Sequence, residues 1–306
     1  MKSLAIISHP DCLLHEMGQW HPESPERIHA IGDQLIASGL DMHFLHLEAP
    51  LAPDEAIERV HTKAYVEEIK AASPESGIVQ LDPDTAMNPH TLQAARRAAG
   101  AVILGVDEVL SGRIGGAFCN VRPPGHHATK NSAMGFCIFN NVAIGAAHAL
   151  EKLERVAIVD FDVHHGNGTE DIFMNDPRVL MVSIFQHPFY PFSGVSGRSD
   201  HMVNIPLPAG SDGEVFRSAV ETYWIPAIES FRPQFFFFSA GFDAHVEDDM
   251  AGLAFVEEDY AWVTRRIAEI ADKHAEGRMV STLEGGYALH ALGRSAAAHI
   301  RALAGL

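Results

Sequence analysis

The stretch "RVAIVDFDVHHGNGT", residues 155–169, decides how this chain is read. Val156 to Val159 form an apolar run of the kind that crosses a buried sheet. The next six residues hold Asp160, Asp162, His164 and His165, and Gly166, Asn167 and Gly168 follow. Burying that much charge is costly unless a cation or paired hydrogen bonds compensate for it. A continuously apolar strand fits a parallel sheet covered on both faces, and such sheets bind ligands outside their carboxyl ends.

Other short apolar runs follow the same plan: "LAIISH" (4–9), "GGAFCNV" (115–121), "VLMVSIF" (179–185), "QFFFFSA" (234–240) and "RMVSTLE" (278–284). Between them lie amphipathic segments at about 89–111, 139–154, 212–230, 256–276 and 287–304. Strands alternating with helices predict an α/β fold, an open parallel β-sheet flanked by helices. No repeat, low-complexity segment or Pro/Gly/Ser-rich linker divides the chain, so one domain is expected over residues 1–306.

Composition narrows the function classes. Forty acidic against 22 basic side chains give a net charge of −18, which repels nucleic acid phosphates and favours cationic ligands. Three cysteines, Cys12, Cys119 and Cys137, are too few and too scattered for a disulfide framework or a zinc finger. The opening "MKSLAIISHP" lacks the length and cleavage site of a signal peptide, and no apolar stretch is long enough to span a membrane. A soluble, cytoplasmic protein is expected, with a small molecule or peptide as its partner.

The chemistry gathers after four of the strands. There stand "RPPGHHA", "DVHHGNGT", "GFDAH" and "GGY". Asp162 and His164, two apart, would point to one side of an extended chain. With Asp243 they make two carboxylates and one imidazole, the donor set of a catalytic zinc site with an open position. On that motif alone, an Asp-His pair capping the next helix fits equally well. His126 and His127 are candidates for proton transfer near neutral pH, with Asp160 and Asn167 as possible orienting partners. A carboxylate partner favours imidazolium, whereas an amide only orients the ring. Tyr287 follows two glycines and could donate a hydrogen bond to a developing oxyanion. Taken singly, the His pair and the tyrosine are as readily structural.

The ordered set "RPPGHHA", "GFCIFNN", "DFDVHHGNGT", "SAGFDAH" and "LEGGY" resembles the zinc-dependent histone deacetylase family. That family includes acetylpolyamine amidohydrolases and acetoin-utilisation proteins. "HPESPERI" (21–28) and "LDPDTAMN" (81–88) extend the resemblance over nearly the whole chain. It implies the arginase/deacetylase fold, with one zinc ion on Asp162, His164 and Asp243. It implies that His126 and His127 are partnered by Asp160 and Asn167, and that Tyr287 polarises the scissile carbonyl. Gly135 and Phe136 become a tunnel wall, with Tyr190 opposite and Met250 at the rim. A structural potassium ion is implied near Asp160, Asp162, His164 and Ser183. Asn167, in place of the aspartate of many members, places the chain in a class II-like branch.

The expected activity is removal of an acetyl or related acyl group from the primary amine of acyl-lysine or a similar acylated amine, using a zinc-activated water. Three alternatives stand beside it. An acetylpolyamine deacetylase is disfavoured by Met250, near a rim position that is glutamate in a polyamine-selective branch. A binuclear manganese arginase-like hydrolase would want an Asp-x-Asp pair where "GFDAH" has one aspartate. A low-turnover acylated-amine binding protein would not need Tyr287 and both tandem histidines.

Overall fold

The computed structural model of the chain describes residues 3–195 and 199–306. Its strands are β1 (Leu4–Ser8), β2 (Leu45–Glu48), β3 (Val79–Asp82), β4 (Thr85–Met87), β5 (Gly116–Cys119), β6 (Val156–Asp160), β7 (Val179–Gln186), β8 (Met202–Leu207), β9 (Phe236–Ala240) and β10 (Met279–Leu283). Its α-helices are α1 (Glu26–Ala37), α2 (Asp54–Ile57), α3 (Lys63–Ala72), α4 (Thr91–Leu110), α5 (Asn141–Ala149), α6 (Asn167–Phe173), α7 (Gly213–Ala219), α8 (Ile225–Phe231), α9 (Glu257–His274) and α10 (Leu289–Leu303).

Eight strands form one sheet in the order β2-β1-β5-β10-β9-β6-β7-β8. Every neighbouring pair is parallel. Side chains of one strand alternate between the two faces. Ala157 and Val159 of β6, and Phe236 and Phe238 of β9, pack into one apolar core with Ile31, Val263, Ile267 and Ile300. Val156, Ile158, Phe235 and Phe237 enter a second core with Val102, Val106, Val142 and Ile144. The sheet therefore separates α1, α9 and α10 on one side from α4 and α5 on the other. This is the single-domain α/β architecture expected of the arginase/deacetylase fold.

Local chemistry explains where the helices begin and end. The Asn140 side chain accepts from Ala143 N (3.0 Å) to cap α5, and Asp212 accepts from Glu214 N (3.0 Å) and Val215 N (3.1 Å) to cap α7. Glu257, Glu258 and Asp259 occupy the first turn of α9 and Lys273 and His274 the last, matching the helix dipole.

All six strands predicted from the apolar runs are present. Two strands of the eight-stranded sheet were not foreseen, nor was the separate antiparallel β3–β4 pair. β2 is mostly exposed, and β8 carries Pro206; both are edge strands without a continuous apolar run. The predicted helix at 212–230 is α7 and α8 joined by one π turn over Val220–Trp224. β6 also stops earlier than its sequence suggests. Asp160 Oδ1 accepts from Asp162 N (3.1 Å), and Asp162 Oδ1 accepts from His164 N (2.8 Å). These side-chain turns replace ladder hydrogen bonds. Asp162 and His164 thus converge through a turn, not through the same-side alternation of a strand.

Candidate active site

The carboxyl ends of β5, β6, β9 and β10 meet at one cavity. Asp162 and His164 leave β6, and Asp243 leaves β9. Their ligand atoms all lie within 4.8 Å of one another, and all three residues are buried. His164 Nδ1 is 3.0 Å from Asp162 Oδ1 and 3.3 Å from Asp243 Oδ2. Asp243 Oδ2 finds no hydrogen-bond donor in good geometry, although it is fully buried. Burial and the neighbouring Asp162 charge push the Asp243 carboxyl up to about 6. Burial disfavours charge on His164, but the hydrogen bond to Asp162 and the adjacent Asp243 carboxylate outweigh it and push the imidazole up to about 10. Two buried carboxylates thus demand a positive charge beside His164.

These residues fit a divalent cation. Tetrahedral zinc with ligand bonds of about 2.0–2.1 Å would need donor atoms roughly 3.3 Å apart, close to both separations from His164 Nδ1. Backbone closes the site from the β10 side. Gly285 N donates to Asp162 Oδ2 (2.8 Å), and a Cβ at Gly285 would lie 2.0 Å from Asp243 Oδ2. No larger residue allows that approach. Ser183, of the potassium expectation, faces Asp160 across the β6–β7 ladder and is buried.

The tandem histidines follow β5 and sit above this cluster. His126 Nδ1 is 3.0 Å from Asp160 Oδ2, and its Nε2 is 3.7 Å from Asp162 Oδ1. Burial opposes its charge, but Asp162 and Asp160 together hold its imidazole well above the ordinary value. His127 Nδ1 is 2.7 Å from Asn167 Oδ1. Burial, then the positive charges of His126 and His164, hold it well below the ordinary value. The rings lie 4.1 Å apart between centroids, so protonating one disfavours protonating the other.

Tyr287 precedes α10. Its N–H donates to Asp248 Oδ2 (2.6 Å), and its ring meets Phe136 edge-on at 5.9 Å. The Arg27 guanidinium stands 5.0 Å from the ring centroid. Burial keeps the phenol well above its ordinary pKa despite Arg27, so the hydroxyl remains a donor. Together these groups line a cavity of about 170 Å³ whose wall includes Gly135, Phe136, Tyr190 and Met250. Phe189 stacks on His164 (5.5 Å, 24° between planes), and Tyr190 approaches His127 edge-on at 5.3 Å. Every residue anticipated for catalysis, metal binding or the wall, Ser183 and the two orienting partners apart, lines this cavity or contributes a ligand atom beneath it.

Several contributors had no role in the sequence reading. Asp84, Pro124, Cys137 and Phe189 also line the cavity. Glu284, the last residue before the glycine pair, accepts from Gly125 N (2.7 Å), His126 N (3.1 Å) and Ser239 Oγ (3.0 Å). It anchors the backbone that carries the tandem histidines, and burial pushes its carboxyl up to about 7. The available signal was an acid ending an otherwise apolar strand. Arg27 donates from Nε to Gly286 O (2.7 Å) and also to Glu284 O, bracing the Tyr287 loop from α1. Glu23 neutralises Arg27 (3.1 Å) and is itself paired with buried Arg122.

Comparison with known proteins agrees with this arrangement. The histone deacetylase domain model matches residues 21–303. A probable deacetylase of Archaeoglobus fulgidus is 39% identical over 293 residues, covering 93% of this chain and 81% of that protein. A histone deacetylase-like amidohydrolase of Pseudomonas aeruginosa is 37% identical over 296 residues, covering 91% of this chain and 77% of that one. The crystal structure of the HDA15 HD domain superposes with a TM-score of 0.94 at 33% identity, covering 99% of this chain and 88% of the other. With a matching domain, matching relatives and a matching fold over nearly its whole length, the chain belongs to the histone deacetylase family.

Proposed function

We propose that the protein is a zinc-dependent amidohydrolase that removes acetyl or a related acyl group from the primary amine of acyl-lysine or a similar linear acylated amine. One observation carries this reading: the buried Asp162–His164–Asp243 cluster lies beneath two histidines whose partners set their protonation apart. The family's deacetylase and amidohydrolase relatives support hydrolysis of this kind.

Asp162, His164 and Asp243 would hold the zinc ion. Zinc there supplies Lewis acidity, polarising a carbonyl and lowering the pKa of water. His127, held neutral, has Nε2 free to accept a proton while Asn167 fixes Nδ1. The attacking water loses that proton as its oxygen bonds to the carbonyl carbon. Tyr287 donates to the carbonyl oxygen as charge develops on it. The amide C–N bond then breaks, and the amine leaves with a proton from one of the two histidines. Phe136 and Tyr190 flank the aliphatic stem. Potassium near Asp160 and Ser183 would steady the loop beneath.

No helix among the described residues is long and apolar enough to cross a membrane. The protein's proposed substrates are small acylated amines or peptides rather than nucleic acid, and its proposed compartment is the cytoplasm. An arginase-like binuclear reading lacks its second carboxylate: His245 occupies that position, with Nε2 3.6 Å from Glu257. The deciding experiment compares acetyl-lysine peptides, acetylpolyamines and longer acyl-lysines on zinc-loaded protein, with and without chelator. Chelator-sensitive release of free amine is expected, greatest for acyl-lysine. Stoichiometric binding without release would favour a binding protein, and preference for acetylpolyamines would move the substrate class.

A further inference from the structure

The tight turn that carries Phe136 is held from outside by the β3–β4 hairpin. Met134 and Cys137 pair across it, Met134 N to Cys137 O at 3.2 Å and Cys137 N to Met134 O at 2.9 Å. Both central residues have left-handed backbone, Gly135 at φ +56° and Phe136 at φ +68°. Two positive φ values in succession belong to a type I′ turn, where Asn-Gly pairs are at ease and phenylalanine is not. Such a turn persists only where its surroundings hold it.

Each residue of this turn touches the reaction site. Met134 Sδ accepts from Asn167 Nδ2 (3.3 Å), which turns the amide oxygen toward His127 Nδ1. Gly135 lies against the face of His127, since a Cβ there would come within 2.4 Å of the imidazole Cδ2. Phe136 lines the cavity and abuts Tyr287. The turn therefore sets the amide that orients the proposed base, the backing of its ring and one wall of the slot.

Asp84 and Thr85 supply the hold. Gly135 N donates to Asp84 Oδ1 (3.0 Å), and Phe136 N donates to Thr85 Oγ1 (3.0 Å). The Thr85 hydroxyl donates in turn to Asp84 Oδ1 (2.7 Å), which leaves its lone pair facing Phe136. Thr85 is fully buried and outside the cavity wall. Any effect it has on turnover must pass through the turn or through Asp84, the residue it bonds at the cavity wall.

We propose that Thr85, together with Asp84, is a positioning residue that locks the Gly135–Phe136 turn and through it orients His127 and the cavity wall. The kinetic part of this inference rests on the amidohydrolase reading; the structural part does not. Thr85→Val keeps the side chain's shape and removes the acceptor. The expected result is faster hydrogen exchange at the Phe136 amide, by about tenfold or more, as befits loss of one net hydrogen bond. Turnover per zinc-loaded molecule should fall about tenfold, with zinc stoichiometry retained and the thermal midpoint lowered by no more than about 4 °C. Thr85→Ser restores the hydroxyl and should restore both exchange protection and turnover. Wild-type exchange at Phe136 in Thr85→Val would overturn the proposal, as would a Thr85→Ser variant as impaired as Thr85→Val. A lowered thermal midpoint with turnover per loaded molecule intact would also overturn it, leaving Thr85 a structural residue. Should the wild-type protein release no amine from any acylated substrate, the amidohydrolase reading fails, and the exchange measurement still decides the lock.

Discussion

His127 Nδ1 lies 2.7 Å from the amide oxygen of Asn167, whereas His126 Nδ1 lies 3.0 Å from the carboxylate of Asp160. The two neighbouring imidazoles therefore differ in charge. A carboxylate stabilises imidazolium at His126, while a neutral amide orients His127 without stabilising its charge. One ring is thereby prepared to carry a proton and the other to take one.

Asn167→Asp should erase part of that difference. A carboxylate beside Nδ1 raises the His127 pKa, so the base is protonated at higher pH than in the wild type. The acid limb of the kcat/KM profile should move to higher pH, with zinc content unchanged. An unmoved acid limb would show that His127 is not the group whose protonation ends activity.

Removal of one metal ligand should be severe. Asp162→Ala or Asp243→Ala takes away a third of the proposed donor set and leaves the remaining charges unbalanced. Bound zinc, measured by elemental analysis, and amide hydrolysis should vanish together. Either variant retaining stoichiometric zinc and normal turnover would refute the ligand assignment.

Tyr287→Phe isolates the hydroxyl. The ring keeps its contacts with Phe136 and Arg27, so packing and zinc affinity should hardly change. Loss of one oxyanion donor typically lowers kcat by about 10²–10³ while KM changes little. Hydroxamate binding should persist, weakened by one contact. A near-normal kcat would show that the carbonyl is polarised without the phenol.

Acid stability should report two buried neutral rings. Burial pushes His61 down to about 4 and His299 down to about 3. Both folded values lie below the unfolded one near 6.5, so the unfolded chain binds protons first as pH falls. Their stabilising contribution is complete above about pH 6.5 and is lost progressively toward pH 4 for His61 and pH 3 for His299, on the order of 3 kcal/mol for His61. The buried Glu284 and Asp243 carboxyls, pushed up by burial, oppose this trend, so the test compares two proteins: the urea midpoint should fall more steeply from pH 7 to pH 5 in the wild type than in His61→Gln. Parallel pH profiles for the two would contradict the prediction.

Local pattern was enough for the central strands and for the residues proposed to react. β6 and β9 are covered on both faces, so their sequences are continuously apolar and the acids at their ends stand out. The motifs after those strands, read together, contain the proposed metal triad, the tandem histidines and Tyr287. The edge strands left no such trace: "LHLE" of β2 is mostly exposed and needs no apolar run to pair with β1. Only the folded chain decided how the reacting groups are held. Arg27 reaches Gly286 across 259 positions of sequence, Glu284 reaches Gly125 across 159, and Thr85 reaches Phe136 across 51. Periodicity and capping report a residue's neighbours within a few positions. A hydrogen bond between distant segments depends on where the sheet order and helix packing set their backbones, and no short stretch of sequence carries that distance.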